Sequence, residues 1–228
     1  MKSETLHDWR VSTPEAIAIQ KRLAGLVSKT DAVTPPRFVA GLDISVDKPI
    51  GTAAVVVLNY PELELIEVQT ATGRLEFPYV PGLLSFREAP LTIAACEKLT
   101  TTPDLFLVDG QGYAHPRRMG IACHLGLLLN TPTIGCAKSL LCGAYEMPGA
   151  EAGSFSDITD CGEVIGAAVR TRTGIKPVFV SIGHKISLPS AITWVRNCCR
   201  KYRLPEPSRL AHLAATGQLN KAAVGAGL

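Results

Sequence analysis

The sequence predicts an α/β fold in which helices flank a mixed β-sheet. Three observations lead there. Phe38–Ser45, Thr52–Asn59 and Leu63–Thr70 are apolar, strand-like runs. Short turns containing Asp47-Lys48-Pro49 and Tyr60-Pro61 join them, as in an antiparallel meander. The meander gives way to strand–helix–strand alternation, with strands at Leu105–Val108 and Thr133–Cys136 around a helix. Finally, 228 residues with 46% hydrophobic and 19% charged side chains can bury a substantial core. Aromatics make up only 6%, so that core is mostly aliphatic.

Each element has a local reason. Residues 13–29 carry Thr13-Pro14-Glu15 ahead of Ala16, Ile17, Ile19, Leu23 and Leu26, a capped amphipathic helix. A proline-framed loop, Pro78–Gly82, precedes a helix ending near Leu99. Leu105–Val108 runs into the loop Asp109–His115, and Pro116 suits the first turn of a helix reaching Asn130. Gly143–Asp160, rich in glycine and small polar residues, reads as a long surface excursion. Val164–Arg170 and Val178–Ile182 return to strand. Ser187 or Ser190 starts a helix over Leu188–Cys199, and Pro205-Glu206-Pro207 starts a last one through Ala215. A single domain over 1–228, with a sheet of about five or six strands and a flexible tail at 217–228, fits better than two domains.

The composition excludes several classes. Net charge is +3, which tolerates a polyanionic partner without demanding one. No apolar run is long enough to span a membrane. Glu4, His7, Asp8 and Arg10 stand where a signal peptide would be apolar. The seven cysteines include no CxxC pair, so reduced thiols in a cytoplasmic protein are expected.

Asp43 and Asp109 each end an apolar strand, where open α/β sheets place their ligands. One such aspartate is ordinary; two on adjacent strands suggest a divalent-metal site. Glu88 fits either such a site or a capping box with Ser85. His212 on an amphipathic helix has little weight alone. Gly110-Gln111-Gly112 departs from a dinucleotide fingerprint because His115 replaces the third glycine. His115-Pro116-Arg117-Arg118 reads as a phosphate site at a helix N-terminus, or as a solvated basic turn. In Pro78-Tyr79-Val80-Pro81-Gly82, two prolines stiffen a loop that displays an aromatic, either as a wedge between bases or as a half-buried tyrosine.

Together these segments resemble the endonuclease V family, the deoxyinosine 3′-endonucleases, over about residues 10–215. The motifs are GLDIS (41–45), PYVPGLLSFRE (78–88), LVDGQGYAHPRRMG (107–120), TIGCAKSLLCG (133–143), SIGHKIS (181–187) and YRLPEPSRLAH (202–212). The resemblance implies a ribonuclease-H-like fold and Mg²⁺-dependent cleavage of DNA or RNA beside hypoxanthine, with Mn²⁺ as a substitute. It implies metal binding by Asp43 and Asp109, a third active-site carboxylate at Glu88 and an active-site histidine at His212. Tyr79 matches the wedge tyrosine. His115 and Lys138 match polar residues near the scissile strand, and the base pocket falls around Gly82, Leu84, Gly110 and Ile121. Gln111 stands where many members carry histidine. The implied protein is a monomeric DNA-repair enzyme. The rivals are another nuclease of the same fold, for junctions or RNA–DNA hybrids, and a non-catalytic nucleic-acid-binding module.

Overall fold

The computed structural model describes residues 1–32 and 35–219. Its elements run α1 (Thr13–Ala24), β1 (Phe38–Asp47), β2 (Ile50–Asn59), β3 (Leu65–Arg74), α2 (Leu84–Cys96), β4 (Leu105–Val108) and α3 (Ile121–Leu129). They continue β5 (Thr133–Ala137), β6 (Ala144–Tyr145), β7 (Phe155–Asp160), β8 (Glu163–Val169), β9 (Val178–His184), α4 (Leu188–Asn197) and α5 (Glu206–Ala215). All the strands join one sheet in the order β3-β2-β1-β4-β5-β9-β8-β7-β6. The meander β1–β3 is antiparallel, as predicted, and β1, β4 and β5 run parallel. This is the mixed sheet flanked by helices that the sequence calls for.

The two faces are covered differently. On one, Leu42, Val55 and Val57 of the sheet pack with Ala89 and Ile93 of α2 and Leu125 of α3. On the other, Val39, Leu107 and Val180 pack with Ala191, Ile192 and Val195 of α4. Burial on both sides explains why Ala53–Leu58 of β2 is a continuous apolar run. α5 lies across β1 and β2 on the α4 side. Gly41 makes this approach possible: a Cβ there would sit 1.9 Å from the Pro207 carbonyl oxygen of α5.

Three expectations change. The first helix stops at Ala24, capped by Gly25, short of residue 29. The excursion 143–160 contains β6 and β7, so among the described residues the sheet has nine strands. Its alternation is faint because only Ile158 of β7 is fully buried, while Phe155 points outward. Cys161 and Gly162, both at positive φ, turn the chain into β8. The helix expected from Pro116 begins at Ile121 with Gly120 as N-cap. Residues 115–118 instead close a turn, with the Arg118 amide donating to the His115 carbonyl at 2.8 Å. The tail expected to be flexible is described through Leu219; residues 220–228 lie outside the described residues. Among the described residues no helix is long and apolar enough to cross a membrane. All seven cysteines are unpaired.

Candidate active site

Register brings the two aspartates together. Leu42 of β1 lies opposite Val108 of β4 in a parallel pair, and the Asp109 amide donates to the Leu42 carbonyl at 2.9 Å. The next residue on each strand is an aspartate. Asp43 shares the strand face of Gly41, toward α5. Its Oδ2 accepts from His212 Nδ1 at 2.7 Å, and its Oδ1 from the Ile44 amide at 2.8 Å. Lys138, just beyond β5, pairs with Asp109 Oδ2. Glu88 enters from α2, only 8% exposed, and no hydrogen-bond partner among the described residues reaches its carboxylate.

Glu88 is not in a capping box. The N-cap of α2 is Leu83, and the Ser85 hydroxyl meets His124 Nδ1 at 3.0 Å. Burial pushes Glu88 up to about 8, and the charges of Asp43 and Asp109 add to this. Burial also raises Asp43, with the charge of Asp109 second. Asp43, Glu88 and Asp109 line one narrow pocket floored by Leu42, Val108 and Leu125. As the side chains stand, no three His, Cys, Asp or Glu groups among the described residues form a ready metal cage. Asp43 and Asp109 instead face His212 and Lys138.

A second cleft, of ≈ 350 Å³, adjoins this pocket and shares Asp109 and Ile121 with it. One wall is the loop Tyr79–Gly82 with Leu84 and Ser85 of α2; the floor is Gly110 and Ile121; Lys138–Leu141 form the far wall. Tyr79 is 66% exposed, which rules out the half-buried reading. Leu84 and Ser85 open α2, where first-turn amides have no intrahelical acceptor.

The basic turn is corrected. His115 is 3% exposed and both ring nitrogens are taken. Its Nδ1 accepts from the Arg117 amide at 3.1 Å, so Nε2 carries the proton and donates to the Gly82 carbonyl at 2.9 Å. Burial pushes this ring down to about 4. Arg117 also turns inward, to the Gly82 carbonyl at 2.7 Å and Gln20 Oε1 at 2.6 Å. Arg118 pairs with Asp160 and Glu163, each at 2.8 Å. The segment is therefore wired into the protein, not presented as a free phosphate site, because acceptors from distant segments claim its donors.

Sequence reasoning missed Gln20. It lies on the buried stripe of α1 between Ala16 and Leu23. A polar residue at a core position of an amphipathic helix was the available signal. It also passed over Arg87, whose Nη1 donates to the Phe77 carbonyl at 2.7 Å and anchors the loop carrying Tyr79.

Comparison with known proteins identifies the family. The family model described as Endonuclease V matches residues 21–213. The Endonuclease V of Dehalococcoides mccartyi is 52% identical over 217 residues, covering 94% of this chain and 97% of that protein. The crystal structure of Endonuclease V from Streptomyces avermitilis superposes with a TM-score of 0.88 at 42% identity, covering 94% of this chain and 96% of the other. A Ciona intestinalis Endonuclease V, solved in complex with a 24mer DNA containing an inosine followed by a ribo-adenosine, has a TM-score of 0.76 at 32% identity. That match covers 92% of this chain and 98% of the other. With the family model matched over residues 21–213 and a relative 52% identical along nearly its whole length, this chain belongs to the endonuclease V family.

Proposed function

We propose that this chain is a Mg²⁺-dependent endonuclease that recognises hypoxanthine in DNA or RNA. It hydrolyses the second phosphodiester on the 3′ side of the lesion, leaving 3′-hydroxyl and 5′-phosphate ends. The observation that carries this reading is the wall shared between the carboxylate pocket and the cleft, at Asp109 and Ile121. A base held in the cleft places the strand beside it against the carboxylates. A base in the cleft and its own linkage cannot both occupy that one wall, so the cut falls farther along the strand. The family resemblance supplies its direction and register.

The residues fit a hard divalent cation. Their donors are all carboxylate oxygens, and Glu88 is held protonated near neutrality by burial and like charge, a cost that a cation removes. Asp43 and Asp109 would hold the ion, with Glu88 as third carboxylate and Mn²⁺ as a substitute. Bound there, it supplies an activated water and charge stabilisation at phosphorus.

The chain's own groups do the rest. In the neutral ring with Nδ1–H turned to Asp43, His212 Nε2 is the acceptor that takes a proton from water. Lys138 brings an ammonium to the phosphate-facing edge of Asp109. Tyr79 fills the gap left by a flipped base. The first-turn amides of Leu84 and Ser85 suit the O6 acceptor of hypoxanthine, and a tight floor at Gly110 and Ile121 disfavours the 2-amino group of guanine. The enzyme works as a monomeric, single-domain repair protein, and its unpaired cysteines suit a reducing cytoplasm.

Mass spectrometry of products from an inosine-containing oligonucleotide with Mg²⁺ tests the reading. The expected result is one nick at the second bond 3′ to inosine, with the base still attached. Free hypoxanthine, a 5′ nick, or equal cleavage of inosine-free branched or hybrid substrates overturns it.

A further inference from the structure

The Gly82 carbonyl is an unusually crowded acceptor. It takes hydrogen bonds from His115 Nε2 at 2.9 Å, Arg117 Nη2 at 2.7 Å and Gln20 Nε2 at 3.0 Å. A carbonyl oxygen has two lone pairs, so three donors saturate it. Two of the donors come from the loop after β4; the third comes from α1, which contributes no strand to the sheet.

Gln20 joins these parts. It is 1% exposed and lines the cleft. Its Oε1 accepts from Arg117 Nε at 2.6 Å, and its Nε2 also donates to the Met119 carbonyl at 3.1 Å. The amide orientation is fixed, because arginine only donates and the two carbonyls only accept. One side chain thereby ties the Tyr79 loop, through Gly82, to Arg117 and Met119 of the loop after β4, whose start forms the cleft floor. Gly82 itself, at φ +78°, is in a conformation that favours glycine, and a Cβ there would lie 2.7 Å from Arg117 Nη2 and push on its guanidinium.

We propose that Gln20 is a positioning residue that, with Arg117, sets the spacing of the two loops enclosing the base and so tunes discrimination between purines. The proposal rests on the hypoxanthine reading above. Neither side chain need touch the reacting atoms. With the clamp intact, the cleft is held at a width set by short hydrogen bonds. With it loosened, the Tyr79 loop moves relative to Gly110 and Ile121, and the guanine 2-amino group is no longer excluded.

The test uses Gln20→Met, which keeps the length and removes every hydrogen bond, and Gln20→Glu. The glutamate keeps the acceptor for Arg117 and loses both donations. The readout is kcat/KM on single strands containing inosine or, at the same place, guanosine, with melting temperature and the Mg²⁺ concentration for half-maximal rate. The expected result is an inosine-to-guanosine ratio reduced about tenfold, as for a small change in pocket fit. The change should lie mainly in KM, lowered for guanosine or raised for inosine, with the Mg²⁺ requirement unchanged. If either Gln20 variant fails to fold, Arg117→Lys carries the same expectation.

An unchanged ratio in a folded variant overturns the clamp, as does a loss confined to kcat. Wild-type protein that does not cleave the inosine strand overturns the functional reading instead, so the two failures are distinct.

Discussion

The carboxylate pocket and the cleft beside it share Asp109 but are built in opposite ways. Asp43 lies inside β1, one residue beyond the last β1–β4 pair, and β1 runs on past the expected strand end to Asp47. Asp109 directly follows β4, and backbone register with one amide–carbonyl bond sets their spacing. One cleft wall is the Tyr79 loop, and its position over the floor loop that follows β4 depends on the side chains of Gln20, His115 and Arg117 meeting at one carbonyl. Geometry fixed by a sheet ladder survives a change of side chain. Geometry fixed by side-chain hydrogen bonds does not, because losing one partner leaves a buried group unpaired at a cost of ~1–3 kcal/mol. Chemistry and recognition should therefore fail separately under mutation.

The largest expected effect is at the ladder ends. If these carboxylates hold the ion as proposed, Asp43→Asn or Asp109→Asn should lower Mg²⁺-dependent cleavage by at least ~10³-fold. The fold should hold, and the metal-free protein should melt no lower than wild type because like-charge repulsion falls. Either variant with near-wild-type turnover, after purity is verified, would break the assignment.

Tyr79→Ala should act on recognition. Base–aromatic stacking of ~1–3 kcal/mol corresponds to a loss of roughly 5- to 150-fold on duplex inosine substrates. On single strands, where less unstacking is needed, the loss should be smaller. Equal losses on both would place Tyr79 outside the wedge role.

The last effect falls on stability and leaves activity at neutral pH untouched. Burial pushes His115 and His184 down to about 4 and His124 to about 3, against an ordinary value of 6.5. Below 6.5 the unfolded chain takes up protons that the folded chain refuses. Stability should be level above that pH and fall steadily toward pH 4. Glu88, pushed up to about 8, acts with the opposite sign between its ordinary 4.5 and 8. The melting curve is therefore best followed in Glu88→Gln. A flat profile from pH 6.5 to 4 would contradict the buried-histidine account.

The same contrast explains what could be read from the sequence. Strand-end aspartates announce themselves because a carboxylate after Leu105–Val108, or within Val39–Ser45, is costly unless it has a task. Glycine at 41 and proline at 207 are visible as letters, but only the packing shows that one makes room for the other. The inward turn of Arg117 depends on Gln20, 97 residues earlier, and that pairing leaves no periodic trace. The HPRR segment looks basic and free in the sequence because the acceptors of its arginines lie far along the chain, at Gln20, Gly82, Asp160 and Glu163. β7 escaped notice because its outward positions are small and polar apart from Phe155.

The most direct measurement of this separation is fluorescence anisotropy with Asp109→Asn, titrated against matched duplexes containing inosine or adenosine, in Ca²⁺. Ca²⁺ accepts looser oxygen coordination and suits binding without efficient hydrolysis. The account predicts that the variant, inactive with Mg²⁺, still prefers the inosine duplex by nearly the wild-type factor. Loss of that preference together with cleavage would contradict it, showing that pocket and cleft are one unit.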